Sequence, residues 1–183
     1  MINVRRARPA DAAAIGTVHV AAWRNAYAGL LPDSYLSRLS SVRHAAQYDV
    51  AIRTGEGVFV AVATGPDLPP GTRGGVIGFA TVGRARVALA EGEVATLYVT
   101  DDWRDQGVGR RLMRAGAAHL SAAGCRTAFL WVLRANPNRW FYERLGGRPV
   151  AESVAYVAGA ALPQVAYAWD PIERLLTPSP TRS

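Results

Sequence analysis

The stretch Glu93–Arg111, EVATLYVTDDWRDQGVGRR, constrains the fold more than any other part of the chain. A strand pattern over 93–99 runs into a glycine-punctuated turn that opens a helix. Such a turn aims several backbone N–H groups outward, beside the positive end of a helix dipole, and that geometry binds phosphate. Gly107 and Gly109 keep the backbone approachable, and Arg104, Arg110 and Arg111 put charge around the same turn. On spacing alone, the competing reading is an ordinary strand-to-helix connection. A dinucleotide-binding turn is excluded. It needs a third glycine three residues on and a place after the first strand. Here Leu112 fills that position, and three strand patterns come earlier. The chain contains no lysine, which excludes a phosphate loop ending in GK[ST] and a lysine Schiff base.

The flanking sequence supplies the remaining elements. Residues 2–8 read as a strand, and Asp11 as the N-cap of a helix to about Leu30, with Ile15, His19, Trp23 and Tyr27 on one face. A short helix through Tyr35, Leu36 and Leu39 and another over 42–54 follow. Strands are expected at 57–64 and 76–82, separated by a proline- and glycine-rich loop at 65–75. After the strand at 93–99 come a helix over 107–123 capped by Gly124, a buried strand at 127–132 and a short helix at 138–145. Strands near 149–157 and 164–169 complete the order. This succession predicts an α/β (α+β) fold with a mixed sheet of about seven strands and helices on its faces. Residues 1–170 are expected to form one domain, with 171–183 a flexible tail.

Downstream of the turn, residues 136–147 read NPNRWFYERLGG. Together with Arg104-Asp105-Gln106-Gly107-Val108-Gly109, this resembles the paired signatures of the GNAT N-acetyltransferase superfamily. Leu97-Tyr98-Val99 is similar to that family's central strand, and residues 22–32, AWRNAYAGLLP, resemble the start of many bacterial members. The sequence departs from the pattern at three places. Asp105 sets an acid in a phosphate-facing loop, Gly147 stands where an aromatic is common, and Asn136 lies one residue nearer the Phe-Tyr pair than in many members.

The resemblance implies a mostly antiparallel sheet and an acyltransferase that uses acetyl-CoA as cosubstrate, while the lone cysteine and the lack of a long apolar run lead one to expect a cytoplasmic protein. The pyrophosphate would rest on the turn Arg104–Arg110, on the amides of Gln106, Gly107, Val108, Gly109 and Arg110. The pantetheine arm would pair with the backbone of Leu97, Tyr98 and Val99, and Asn136 would add a cofactor contact. Glu93 matches the position of a general base acting through water; the other reading is a solvated strand-end acid beside Glu91. Tyr142 matches the tyrosine that hydrogen-bonds the departing thiolate; the other reading is packing of a short helix. Trp23 and Tyr27 would bind the acceptor, or serve as core.

The acceptor expected is a small-molecule primary amine, attacked directly with both substrates bound. Acetylation of a protein N-terminus or of aminoacyl-tRNA is the alternative, and a non-catalytic acyl-CoA-binding module is a third. The net charge of +7 leans toward an anionic partner, but the arginines are scattered, without a nucleic-acid-type block. Cys125 is the only cysteine, so a disulfide framework is excluded. No His/Cys cluster has metal-ligand spacing, and no apolar run approaches the roughly 18 residues of a membrane span. The last strands offer an edge that would allow homodimer pairing.

Overall fold

The computed structural model describes residues 1–65, 68 and 74–177. Most of the expected 65–75 loop and the last six residues lie outside the described residues. Strands β1 (Ile2–Arg6), β2 (Gly57–Ala63), β3 (Gly75–Arg84), β4 (Gly92–Val99), β5 (Ala128–Leu133), β6 (Arg148–Val157) and β7 (Ala160–Trp169) form one sheet. Their order is β1-β2-β3-β4-β5-β7-β6. Every pairing is antiparallel except β4 with β5, so the expectation of a mixed, mostly antiparallel seven-stranded sheet holds.

Helices cover both faces. On one side lies α4 (Val108–Ala122), whose Leu112, Met113, Ala117 and Leu120 are buried against the strands. The short α5 (Trp140–Arg144) packs Phe141 and Tyr142 against the same cluster. On the other side lie α1 (Ala12–Ala26), α2 (Asp33–Ser37) and α3 (Ser41–Arg53). Ile15 and Val18 of α1 meet Val58, Val60 and Phe79 of the sheet. Apolar residues at helical spacing facing alternating apolar strand positions explain both layers.

Several boundaries differ from the expected ones, for physical reasons. The first helix stops at Ala26 rather than near Leu30, and Gly29 just beyond takes a left-handed φ of 76° that no right-handed helix can continue through. Asp11 does not cap α1 with its side chain. Its carboxylate accepts from the Arg8 N–H at 2.7 Å and is gripped by the Arg5 guanidinium at 2.7 and 3.0 Å. Strand β7 begins at Ala160, four residues earlier than expected, and runs through Pro163 as one arm of the β6–β7 hairpin. Gly124 does follow α4 in the left-handed region, with φ 87°. The first residues after β7 are packed rather than frayed: Ile172–Leu175 form a 3-10 turn that buries Ile172 and Leu175 in the α4-side core.

Candidate active site

The parallel pairing of β4 with β5 is confined to Gly92–Ala128 and Glu93–Phe129. Beyond these two pairs the strands part. A bulge sharpens the divergence: Thr96 faces Thr81 and Val94 faces Val82, so Ala95 is an extra residue on β4. The gap opens into a cleft of about 870 Å³, lined by both strands, the end of α1, the start of α4 and α5.

One end of the cleft is the turn before α4. Gly107 there has φ 76°, a conformation only glycine adopts without strain. Asp105 is also left-handed, with φ 60°, and aspartate tolerates that region better than most residues. The acid in the loop therefore has a conformational reason. Gly109 also has a packing reason: a Cβ there would meet the Phe141 ring at 3.1 Å, so its smallness lets α5 close over α4. The N–H groups of Val108, Gly109 and Arg110 have no acceptor among the described residues, and no side chain caps the helix. Three free amides at the positive end of a 15-residue helix fit a phosphate group.

The arginines divide their work. Arg110 lines the cleft without a carboxylate partner among the described residues. Arg104 also lines it, paired with Asp101 at 2.7 Å. Arg111 instead reaches Ile2 O at 3.1 Å and ties α4 to β1.

Leu97, Tyr98, Val99, Arg104, Asp105, Gly107, Val108, Gly109 and Arg110 all lie on the cleft wall, as do Asn136, Tyr142 and Tyr27. Gln106 does not; its amide turns back to Asp102 O at 3.1 Å. Trp23 does not reach the cleft either. It braces the wall from behind, stacking on Tyr27 with 4.5 Å between ring centroids and donating its indole N–H to the Tyr98 hydroxyl at 2.8 Å. Asn136 accepts from the Asn138 N–H at 2.8 Å, so its side chain shapes the turn into α5.

Tyr142 packs near Phe141, Tyr167 and Trp169, and its hydroxyl has no hydrogen bond among the described residues. Burial pushes its pKa up to about 12, so the hydroxyl stays protonated and acts as a donor near neutral pH. Glu93 lies outside the lining, just below the point where the strands part. Burial raises its carboxyl above the ordinary range, against the pull of Arg86.

Sequence reasoning missed much of the rest of the cleft wall, and three of those residues stand out. Trp131 on β5, Asn138 and Trp140 all line it. Trp131 was visible only as part of a buried-type strand, and which face it takes depends on the sheet order. Asn138 and Trp140 sat within the quoted downstream signature, but their approach follows from the fold of the 136–140 turn.

A mixed sheet split between its parallel strands, above a glycine-opened helix with unfilled amides, is the arrangement that the acetyltransferase resemblance leads one to expect. Comparison with known proteins agrees. The family model described as "Acetyltransferase (GNAT) domain" matches residues 54–146. The Bacillus subtilis (strain 168) protein described as the uncharacterized N-acetyltransferase YuaI is 32% identical over 179 residues, covering 97% of this chain and 98% of that protein. The chain belongs to the GNAT acetyltransferase family. Among solved structures, a ribosomal-protein-alanine N-acetyltransferase from Brucella melitensis superposes with TM-score 0.68 at 18% identity, covering 92% of this chain and 99% of that one. YncA from Salmonella typhimurium, with its cofactor acetyl-CoA, gives 0.64 at 18% identity, covering 100% and 98%. At these identities the structures share the fold alone.

Among the described residues no helix is long and apolar enough to cross a membrane. Nor does any group of three or more His, Cys, Asp or Glu residues there form a metal-binding cluster.

Proposed function

We propose that this chain is an acetyl-CoA-dependent N-acetyltransferase acting on a small-molecule primary amine, by direct attack with both substrates held in the cleft. The observation that carries this reading is the splayed β4–β5 gap, which runs from an unpaired tyrosine hydroxyl to three unsatisfied helix amides. Acetyl-CoA supplies an acyl thioester whose carbonyl is open to a neutral amine. The amides of Val108, Gly109 and Arg110 receive the pyrophosphate, and Arg110 neutralises it. The unpaired flank of β4 at Leu97, Tyr98 and Val99 holds the pantetheine arm by strand-like hydrogen bonds, and a backbone N–H there polarises the carbonyl. Tyr142 donates to the leaving sulfur. Glu93 takes the proton of the incoming ammonium through water, which its place below the cleft requires. Asn136 holds the α5 turn against the cosubstrate, while Tyr27 faces the acceptor and Trp23 braces that wall from behind.

A thermal titration with acetyl-CoA tests this. At about 100 times the dissociation constant, the ligand adds about 2.7 kcal/mol to stability. Gly107→Glu, which puts a strained anionic side chain at the turn, is expected to abolish the rise. Tyr142→Phe keeps the rise and lowers kcat on the order of 100-fold. Glu93→Gln removes the acid limb of the pH–rate profile, a limb lying above the ordinary carboxylate range because burial raises this group. No rise in midpoint at saturating acetyl-CoA overturns the reading.

A further inference from the structure

The two ends of the cleft differ in charge. Every ionisable Arg or Asp on its wall, namely Arg104, Asp105, Arg110 and Arg144, belongs to the start of α4, the loop before it, or α5. The wall on the α1 side carries none. It includes Asn25, Ala26 and Tyr27 from the end of α1, Thr96 and Tyr98 from β4, and Trp131 and Leu133 from β5. Alternation along β5 fixes the side: Leu130 and Val132 enter the α4-side core, so Trp131 and Leu133 face the other way. Leu133 joins Tyr27, Trp23, Leu31 and Leu36 in a separate apolar cluster there.

The nearby polar groups are already engaged. Tyr98 accepts the Trp23 indole N–H at 2.8 Å, and Thr96 shares a hydrogen bond with Thr81 at 2.7 Å. Asn25 is turned to Asp101 at 2.6 Å, and Arg134 pairs with Glu152 at 2.6 Å. A second ammonium group on an acceptor would find no carboxylate on this wall, and an acceptor carboxylate would find no cation. Each would lie desolvated and unpaired, which is strongly unfavourable. A flat apolar ring would instead meet Tyr27, Tyr98 and Trp131. A single ammonium suits the same ring faces before it gives up its proton.

We infer that the acceptor is an arylalkylamine, a primary amine on an uncharged aromatic body, bound between Tyr27, Tyr98 and Trp131. This rests on the acetyltransferase reading above. In the reaction the amine nitrogen forms a bond to the acetyl carbon as the carbon–sulfur bond breaks. One proton leaves the nitrogen, the sulfur departs as thiolate and takes up a proton, and no oxidant or reductant is needed.

The test measures free-thiol release by the full chain with acetyl-CoA and four acceptors: 2-phenylethylamine, spermidine, L-glutamate and an alanine-initiated peptide. The expected kcat/KM for 2-phenylethylamine exceeds each of the others at least ~100-fold, the scale of an uncompensated buried charge. Trp131→Ala is expected to raise its KM about 10-fold, with kcat changed far less and the acetyl-CoA-induced midpoint rise retained. Ala26→Asp, which adds a carboxylate to the wall, is expected to raise kcat/KM for spermidine relative to 2-phenylethylamine at least tenfold. If acetyl-CoA raises the midpoint but spermidine, glutamate or the peptide is the better substrate, the arylalkylamine inference falls and the acetyltransferase reading stands. The same holds if acetyl-CoA binds and 2-phenylethylamine is not acetylated. If acetyl-CoA produces no midpoint rise, both fall together.

Discussion

The α4 face of the sheet and the α1–α3 face are built on different principles. On the α4 face, Leu112, Met113, Ala117 and Leu120 merge with β-strand residues and with Ile172 and Leu175 into one continuous apolar cluster. On the opposite face the apolar residues fall into two smaller clusters. Between them runs an aromatic ladder, with His44 stacked on His19 at 3.9 Å, His19 near Trp23, and Trp23 on Tyr27. His19 is buried. Its Nδ1 lies 2.8 Å from the Tyr48 hydroxyl, and its Nε2 has no partner among the described residues. An orphaned buried nitrogen costs stability, and among the described residues no side chain of the α4 core has a buried nitrogen or oxygen without a partner. The difference teaches that the turn before α4 is mounted on the continuously packed face, and the α1-side wall of the cleft on the face divided into smaller clusters.

The largest effect that would sharpen this comparison is expected in the α4 core. Leu112→Ala should cost about 2–5 kcal/mol, read as a fall in denaturant midpoint without a change in slope. A loss below about 1 kcal/mol would break the contrast, because it would mean the continuous α4-side core closes around a lost side chain as readily as the divided face.

The next effect belongs to His19. Burial, helped by His44, brings its pKa down to about 4 from an ordinary 6.5. Between those values the unfolded chain takes up a proton that the folded chain refuses. The stabilising contribution is thus complete above pH 6.5 and lost as pH falls toward 4, with a slope of up to about 1.4 kcal/mol per pH unit. His119 is also lowered by burial and adds in the same direction. Glu93, whose carboxyl is raised, adds with the opposite sign. Subtracting the His19→Gln profile from that of the parent isolates the His19 share. Parallel profiles would remove His19 as a weak point of this face.

Trp23→Phe is expected to cost about 0.5–1.5 kcal/mol through the lost bond to Tyr98. It should raise acceptor KM more than it lowers kcat, because it loosens the wall without touching the reacting atoms. Smallest is Ser40→Ala. Ser40 caps α3 by accepting from the Arg43 N–H at 3.2 Å, and its loss should cost about 1 kcal/mol with activity unchanged.

Much of this architecture can be read along the chain. Strands such as 57–63 and 128–133 are short apolar runs bounded by turn residues, and Gly107 marks its own turn through its conformational freedom. Positions that depend on which strands become neighbours are harder to read. That Trp23 stands behind Tyr98 rather than in the cleft requires α1 to lie across β4, and no spacing within residues 12–26 encodes it. The placement of Glu93 below the cleft follows from where β4 and β5 cease to pair. Asp11 reads as a helix cap until Arg5, on the neighbouring strand, takes its carboxylate. In each case a local preference loses to a partner supplied by the tertiary fold.

The two-residue ladder between β4 and β5 has a consequence for exchange with solvent. Past Glu93 and Phe129, each strand has a bonded neighbour on one flank only, β3 for β4 and β7 for β5. The middle of a seven-stranded sheet therefore contains edge-like amides, the kind that trade hydrogen for deuterium quickly while their neighbours are slow. A ligand laid along that seam would act as a missing strand. Its arrival would be written as new protection in the centre of the molecule rather than at its rim.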